Sequence, residues 1–333
     1  MQRFPESVSW PLIGLLLLAT SSCDKADSHN HFASARPAQT YAGEYPIAVV
    51  CTTGQVAEMV AQLGGEHMHV DNLMGPGVDP HLYRPIASDV RKLSDADAIF
   101  FNGLHLEGRM ADLFVQMARR KPTFAVTEGL VAAKDPRLRE PPEFEGMYDP
   151  HVWHDVALWS DCVRYVAKVL SGFDPKHAAA FQTNAEVYLA ELTELDRFCA
   201  ERIAKIPAEH RVLVTAHDAF GYFGKAYGLE VYGLKGISTE EEKDLAHQER
   251  IQQMLIKRRI PAVFVESAVA PRTVEALVEP CRTAGLDLKI GGELYADALG
   301  PAGSDATTYT GMIRSNVRTI VQALSAGGNA AAR

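Results

Sequence analysis

The chain has 333 residues, 47% of them hydrophobic and 23% charged, a globular composition with enough length for a well-buried core, and not that of a disordered or fibrous protein. Its formal net charge of −9 sets nucleic acid aside as a partner, because phosphate binding needs clustered Lys and Arg. An acidic balance suits a cation ligand, but it also simply keeps many proteins soluble.

In chain order, the first segment is not part of a fold. Arg3 supplies a basic start that Glu6 cancels, residues 11–19 form an apolar stretch, and the small Thr20, Ser21 and Ser22 lead into Cys23. Spanning a bilayer takes about 20 apolar residues, so the stretch fits the core of a cleaved signal peptide, residues 1–22, and not a mature helix. A Cys directly after small residues is the pattern of a lipoprotein cleavage site, although Thr20 stands where a large aliphatic residue is usual. Cys23 is therefore expected to carry a lipid, and the protein to be extracytoplasmic. Residues 23–44 read as a flexible tether, in which His29 and His31 are incidental.

The body opens with a strand at 46–51 and a helical pattern from Gly54 through Leu63. Further strands are expected at 69–74, 96–102 and 123–126, with helices at 86–94 and 107–119. Strands alternating with helices at this spacing imply βαβ units and a parallel sheet, here a first lobe over 45–173. The same grammar returns over 208–326, with strands at 211–215, 262–266 and 286–290 and helices at 217–227, 240–259 and 271–284. Between the halves, 175–206 has no Gly and no internal Pro, and Phe181, Tyr188, Leu192, Leu195, Cys199 and Ile203 recur at helical spacing. Asp174 and Pro175 make a start signal and Pro207 a stop. A helix of about 32 residues would span about 48 Å, a rigid strut over 174–207 joining two α/β lobes. Cys51, Cys162, Cys199 and Cys281 are far apart without C-x-x-C spacing and read as buried small hydrophobes; an exported location permits a disulfide, but the sequence pairs none of them.

Four points carry chemistry. They are Asp79-Pro80-His81 after the second strand, Asp149-Pro150-His151 before a helix, His217 directly after a strand, and Asp297 beyond the last strand. Loops beyond strand ends are where open α/β sheets place ligands, so three His and one Asp can converge there. In both Asp-Pro-His triplets the His is expected to be exposed on a Pro-stiffened loop. Imidazole suits Zn, Fe, Ni and Cu, and carboxylate broadens acceptance towards Mn. With a monodentate Asp, the set is the four-coordinate one that zinc prefers; a bidentate Asp would suit manganese better.

At these residues the chain resembles the zinc/manganese solute-binding proteins of metal ABC importers. The motifs that carry the resemblance are GVDPHLYRP at 77–85, FNGLHLEG at 101–108, DPHVWHD at 149–155, TAHDAFGYF at 215–223, GISTEEE at 236–242, FVESAVAP at 264–271, GGELYADALG at 291–300 and TYTGMIRSN at 308–316. The resemblance implies two βα lobes with parallel sheets, one long rigid helix between them, and a metal site in the interlobe cleft. Its implied ligands are His81 and His151 from the first lobe and His217 and Asp297 from the second. It also implies delivery of Zn2+ or Mn2+ to the permease and ATPase of an ABC importer, by a protein that is not an enzyme and is expected to be a monomer.

Two departures stand out. His154 occupies a position where the family's motif usually has an apolar residue, so it reads as a supporting group or an alternative to His151. Residues 127–148 hold no histidine, where many zinc-dedicated members carry a His- and acid-rich loop. Elsewhere, Glu266 at a strand end reads either as an acceptor orienting a ligand histidine or as a cap of the next helix. Glu240, Glu241 and Glu242 read as the acidic first turn of a helix. His67, His69, His105, His177, His210 and His247 read as surface or structural. A zinc hydrolase is the rival class, because His151 and His154 have H-x-x-H spacing; against it, H-E-x-x-H is absent and no Glu stands beside those residues as a general base. A surface adhesin would use the same fold.

Overall fold

The computed structural model describes residues 40–144 and 146–325; the expected signal peptide, Cys23 and the tether histidines lie outside them. β1 (Ile47–Thr53) is an almost wholly buried β-branched run, and its last residue, Thr53, caps α1 (Gly54–Gly64). Val56, Met59, Val60 and Leu63 give α1 one apolar face, all four fully buried against the sheet. β2 (Met68–Met74), α2 (Ala87–Asp95), β3 (Ala98–Phe101), α3 (Ala111–Ala118), β4 (Thr123–Ala125) and α4 (Glu128–Ala132) complete the first lobe's alternation. Its sheet is all parallel in the order β2-β1-β3-β4.

Two long helices follow. α5 (Val156–Phe173) starts at Asp155, whose carboxylate accepts from the N–H groups of Ala157 and Leu158. α6 (Ala178–Ile203) is the connecting helix, with 26 residues instead of about 32. Residues 175–177 form a tight 3-10 turn, because the Asp174 carboxylate engages Tyr45 and the ring of His177 instead of capping the helix.

The second lobe contains β5 (Val212–Thr215), α7 (Gly221–Tyr227), β6 (Glu230–Gly233), α8 (Leu245–Arg258), β7 (Ala262–Glu266), α9 (Arg272–Thr283), β8 (Lys289–Leu294) and α10 (Tyr309–Ser325). β5 pairs with β6 and β7 with β8, all parallel, and β5 packs beside β7. Two expectations need correction. Glu240, Glu241 and Glu242 are not a helical first turn: Lys235 and Glu242 form an isolated bridge, and Asp244 is the residue that caps α8. The last strand lies at 289–294 and not 286–290, since Pro261 and Val263 recruit Lys289 and Ile290 while Leu286 and Leu288 turn into the core. β6 and α10 complete the lobe without having been read from the sequence.

α6 packs on α1, α5 and α10, and one continuous apolar core runs through both lobes. Polar ties cross the seam as well. Trp153 donates to the Ala296 carbonyl at 2.9 Å, Tyr309 to the Trp153 carbonyl at 2.7 Å, and Thr239 to the Asp79 carboxylate at 2.6 Å. Among the described residues, no helix is long and apolar enough to cross a membrane.

Candidate metal centre

All four sequence-flagged donors meet at the carboxyl ends of the strands, where the two lobes face one another. His81 lies beyond β2 and His151 just before α5; His217 lies two residues past β5, and Asp297 three past β8. One ligand atom from each lies within 4.8 Å of the others. The Nε2 atoms of His81 and His151 are 3.2 Å apart, and those of His151 and His217 are 3.4 Å apart. Asp297 oxygens stand 3.3, 3.4 and 3.8 Å from the Nε2 atoms of His217, His151 and His81.

These groups are not exposed on their loops, as the sequence suggested. His81 is 5% exposed and His151 and His217 are 0%. The loops are stiff, but lobe-to-lobe packing closes over them. That packing is a long-range property, invisible to a local reading of Asp-Pro-His.

Two of the three rings, those of His151 and His217, are oriented from behind. His151 Nδ1 is 2.8 Å from Asp149, which also accepts the His151 backbone N–H, and His217 Nδ1 is 2.5 Å from Glu266, which accepts the His217 backbone N–H at 3.0 Å. A donor N–H held at Nδ1 by a carboxylate leaves Nε2 as the lone-pair nitrogen of the neutral ring. Glu266 is thus seated on His217; α9 begins at Arg272 and is not capped by it. Asp149 in turn binds the Arg139 guanidinium, which lies 4.0 Å from Asp218 in the second lobe. Asp149, Arg139 and Asp79 were missed as supporting residues. The Asp of each Asp-Pro-His is the one readable signal, since an Asx side chain accepts the N–H two residues on. A further buried carboxylate, Glu107, accepts from Thr52 and from the N–H of Asn102, whose side chain donates to the Pro150 carbonyl. It braces the turn that carries His151.

The electrostatics follow from burial and these partners. Burial pushes His81 down to about 3, only partly countered by Asp297, so its lone pair is free at neutral pH. Burial also opposes charge on His217, but Glu266 and Asp297 outweigh it and hold the ring well above its ordinary value; His151 is raised in the same way by Asp149 and Asp297. Burial would raise Asp297, yet His217 and His151 hold it well below the usual carboxylate range. Metal-free, protons are therefore drawn to His151 and His217 and away from Asp297. A divalent cation at the Nε2 atoms competes with those protons and gives the nitrogens a shared partner. The Asp297 oxygens face the Nε2 atoms of His151 and His217 at 3.4 and 3.3 Å, which sets a carboxylate among imidazole nitrogens in a buried site. The residues fit a borderline ion such as zinc or manganese.

His154 is fully buried beside this cluster but is not one of the four converging groups. Among the other histidines, His247 bonds the Gly233 carbonyl, His210 the Leu324 carbonyl, and His67 stacks on His177. Cys51, Cys162, Cys199 and Cys281 are all buried and unpaired.

Two α/β lobes on a helical strut, with three imidazoles and a carboxylate enclosed between them, define a solute-binding protein built for a small cation. The chain belongs to the family described as zinc-uptake complex component A, periplasmic, whose model matches residues 49–323. It is 43% identical over 279 residues to the manganese-binding lipoprotein MntA of Bacillus subtilis, covering 84% of this chain and 90% of that protein. It is 42% identical over 277 residues to the zinc-binding protein TroA of Treponema pallidum, covering 83% of this chain and 88% of TroA. The solved structure of that periplasmic zinc binding protein superposes with a TM-score of 0.79 at 41% identity, covering 85% of this chain and 100% of the other. The laminin binding protein Lmb of Streptococcus agalactiae, described as bifunctional with adhesin and metal transporting activity, matches at TM-score 0.70 and 25% identity, covering 84% of this chain and 99% of its own.

Proposed function

We propose that this protein captures Zn2+ or Mn2+ outside the cytoplasm through His81, His151, His217 and Asp297, and delivers it to the permease of an ABC importer. The observation that carries the reading is the convergence of four buried donors within 4.8 Å, two of them pre-oriented by carboxylates. The matched relatives are named for manganese and for zinc, and the donor set suits both; a monodentate Asp297 tilts it to zinc. We assign residues 1–22 to a signal peptide, 23–44 to a tether anchored by lipid at Cys23, 45–173 and 208–326 to the two lobes, and 174–207 to the link. The partners are the cation, the importer's permease and ATPase, and the membrane surface through the lipid; the working form is a monomer.

The hydrolase reading fares worse at this site. Four protein ligands close the coordination shell, whereas a catalytic zinc keeps a position open for water. The decisive experiment is competitive titration of the metal-free protein with zinc and manganese, read by bound-metal analysis. One ion per chain is expected, lost in His81→Ala and His217→Ala. Absence of stoichiometric binding, or unchanged affinity in both variants, would overturn the site; sustained metal-dependent hydrolysis of simple esters or peptides would overturn the transport role.

A further inference from the structure

Among the described residues, the His81 ring has no carboxylate bonded behind it, unlike the rings of His151 and His217. What places His81 is its backbone. Asp79 Oδ1 accepts the N–H groups of His81 and Leu82 at 2.9 and 3.3 Å, which fixes the turn that carries the ring. The other oxygen of the same carboxylate is tied to the second lobe. Oδ2 accepts the hydroxyl of Thr239, which is 3% exposed, at 2.6 Å. His81 thus depends on a residue of the opposite lobe for its placement.

Thr239 lies in a strap, residues 235–242, that contains GISTEEE and closes on itself. Lys235 and Glu242 pair at its base, Lys235 Nζ donates to the Thr239 carbonyl at 2.9 Å, and the Gly236 N–H donates to the Glu241 carbonyl at 2.9 Å. One end is bonded to the segment of a second ligand, since Asp218, next to His217, donates its backbone N–H to the Gly236 carbonyl at 3.0 Å. The tip reaches the first lobe twice, through Thr239 to Asp79 and through Glu240 to the Arg109 guanidinium. Arg109 stands on a stiff post. Three successive left-handed residues precede it, Gly103, Leu104 and His105 at φ 88°, 53° and 62°, a conformation that non-glycine residues hold only where the surroundings impose it. The buried Glu107 carboxylate accepts the N–H groups of Asn102 and Gly103 at the start of that turn.

The strap therefore holds the first lobe by one hydroxyl bond and one ion pair whose side chains are 28% and 47% exposed. Water replaces such partners at small cost. It cannot replace the apolar core that joins the lobes where α6 packs on α1 and α10. We propose that residues 235–242 are the release gate of the metal site, with Thr239 as its positioning residue. When the strap lifts, Asp79 loses its tie to the second lobe, the turn carrying His81 loosens, and the cation leaves His81 first. This deepens the capture role proposed above and rests on it.

The test uses the full chain loaded with zinc, as wild type, Thr239→Val, Thr239→Ser and Glu240→Gln. Zinc release is followed by stopped flow into excess chromogenic chelator, and amide hydrogen exchange over residues 79–84 is measured on the metal-free protein. Thr239→Val is expected to release zinc about 10-fold faster, the usual scale for losing an outer hydrogen-bond partner, and to speed exchange at His81 and Leu82. Thr239→Ser, which keeps the hydroxyl, should match wild type in both. Glu240→Gln should accelerate release less, and added salt should speed release from wild type but not from this variant, because the ion pair is exposed. A purely structural role for Thr239 would lower the melting temperature of Thr239→Val and leave release and exchange unchanged. That result, or equal acceleration in Thr239→Val and Thr239→Ser, would overturn the proposal. Should Thr239→Val fail to fold, release at the wild-type rate from Glu240→Gln would overturn it as well. If wild type itself takes up no stoichiometric zinc, it is the capture role that fails, and this inference with it.

Discussion

Residue by residue, the site is governed by the groups behind the ligands as much as by the ligands. Glu266 accepts both the ring and the backbone N–H of His217. Glu266→Gln keeps the shape but removes the charge and places an amide N–H where an acceptor is required. Zinc affinity should fall about 10- to 100-fold with the fold intact, measured by chelator competition beside a circular-dichroism spectrum. Affinity should also depend steeply on pH. His217 and His151 are held above the ordinary imidazole value of 6.5, so protons compete with metal already above pH 6.5, and affinity falls as pH is lowered. Each proton the cation displaces steepens the fall by about 10-fold per pH unit, read as proton release by calorimetry in buffers of different ionisation enthalpy. For unperturbed imidazoles the weakening would come near 6.5. The upward displacement comes from Asp149, Glu266 and Asp297, which only the fold brings against the rings.

At the scale of elements, loop positions depend on close backbone packing. Gly233, the last residue of β6, lies so near the His217–Asp218 backbone that a Cβ there would collide with the Asp218 nitrogen and the His217 carbonyl carbon. Backbone cannot yield as a flexible side chain can. Gly233→Ala should therefore destabilise the protein by about 1–3 kcal/mol and displace His217. The check is thermal unfolding with and without zinc: the zinc-induced rise in melting temperature should shrink along with the melting temperature itself. β6 was not legible beforehand, because Glu-Val-Tyr-Gly is too short and mixed to stand out. α6 was legible from its apolar spacing, yet its start was placed three residues early, since Asp174 bonds Tyr45 and His177, one distant and one local partner. Glu240–Glu242 looked like a helical first turn for the same reason: an acidic run before an apolar pattern is ambiguous until Lys235 and Arg109 claim two of the carboxylates.

Across the whole molecule, the lobes are clamped where α1, α6 and α10 meet. Glu58 on α1 accepts from the N–H of Tyr309, the first residue of α10, and burial pushes its carboxyl from 4.5 to about 7. A pKa raised in the folded state means stability that is fully present below about 4.5 and is lost as pH rises through about 7. At about 1.4 kcal/mol per pKa unit the difference is on the order of 3 kcal/mol. Glu58→Gln keeps the acceptor without the titration, so its advantage over wild type should grow between pH 5 and pH 8 in urea unfolding of the metal-free protein. An equal difference at both pH values would show that Glu58 is not the group responsible.

The alternation of buried β-branched runs with amphipathic helices, the long glycine-free stretch and the two Asp-Pro-His turns are local patterns. Residues near in sequence determine them, so the sequence by itself determined two α/β lobes, a strut and the identity of the four converging donors. What needed the tertiary structure is everything set by contact between distant segments. Closure of the lobes buries His81 and His151, the carboxylates of Asp149 and Glu266 fix which nitrogen faces inward, and Arg139 ties the loop before His151 to the segment after His217. His154 shows the difference best. The sequence marks it as out of place, but only packing among Trp153, Phe220 and the Asp297 segment buries it, because burial is a property of the surroundings and not of the residue.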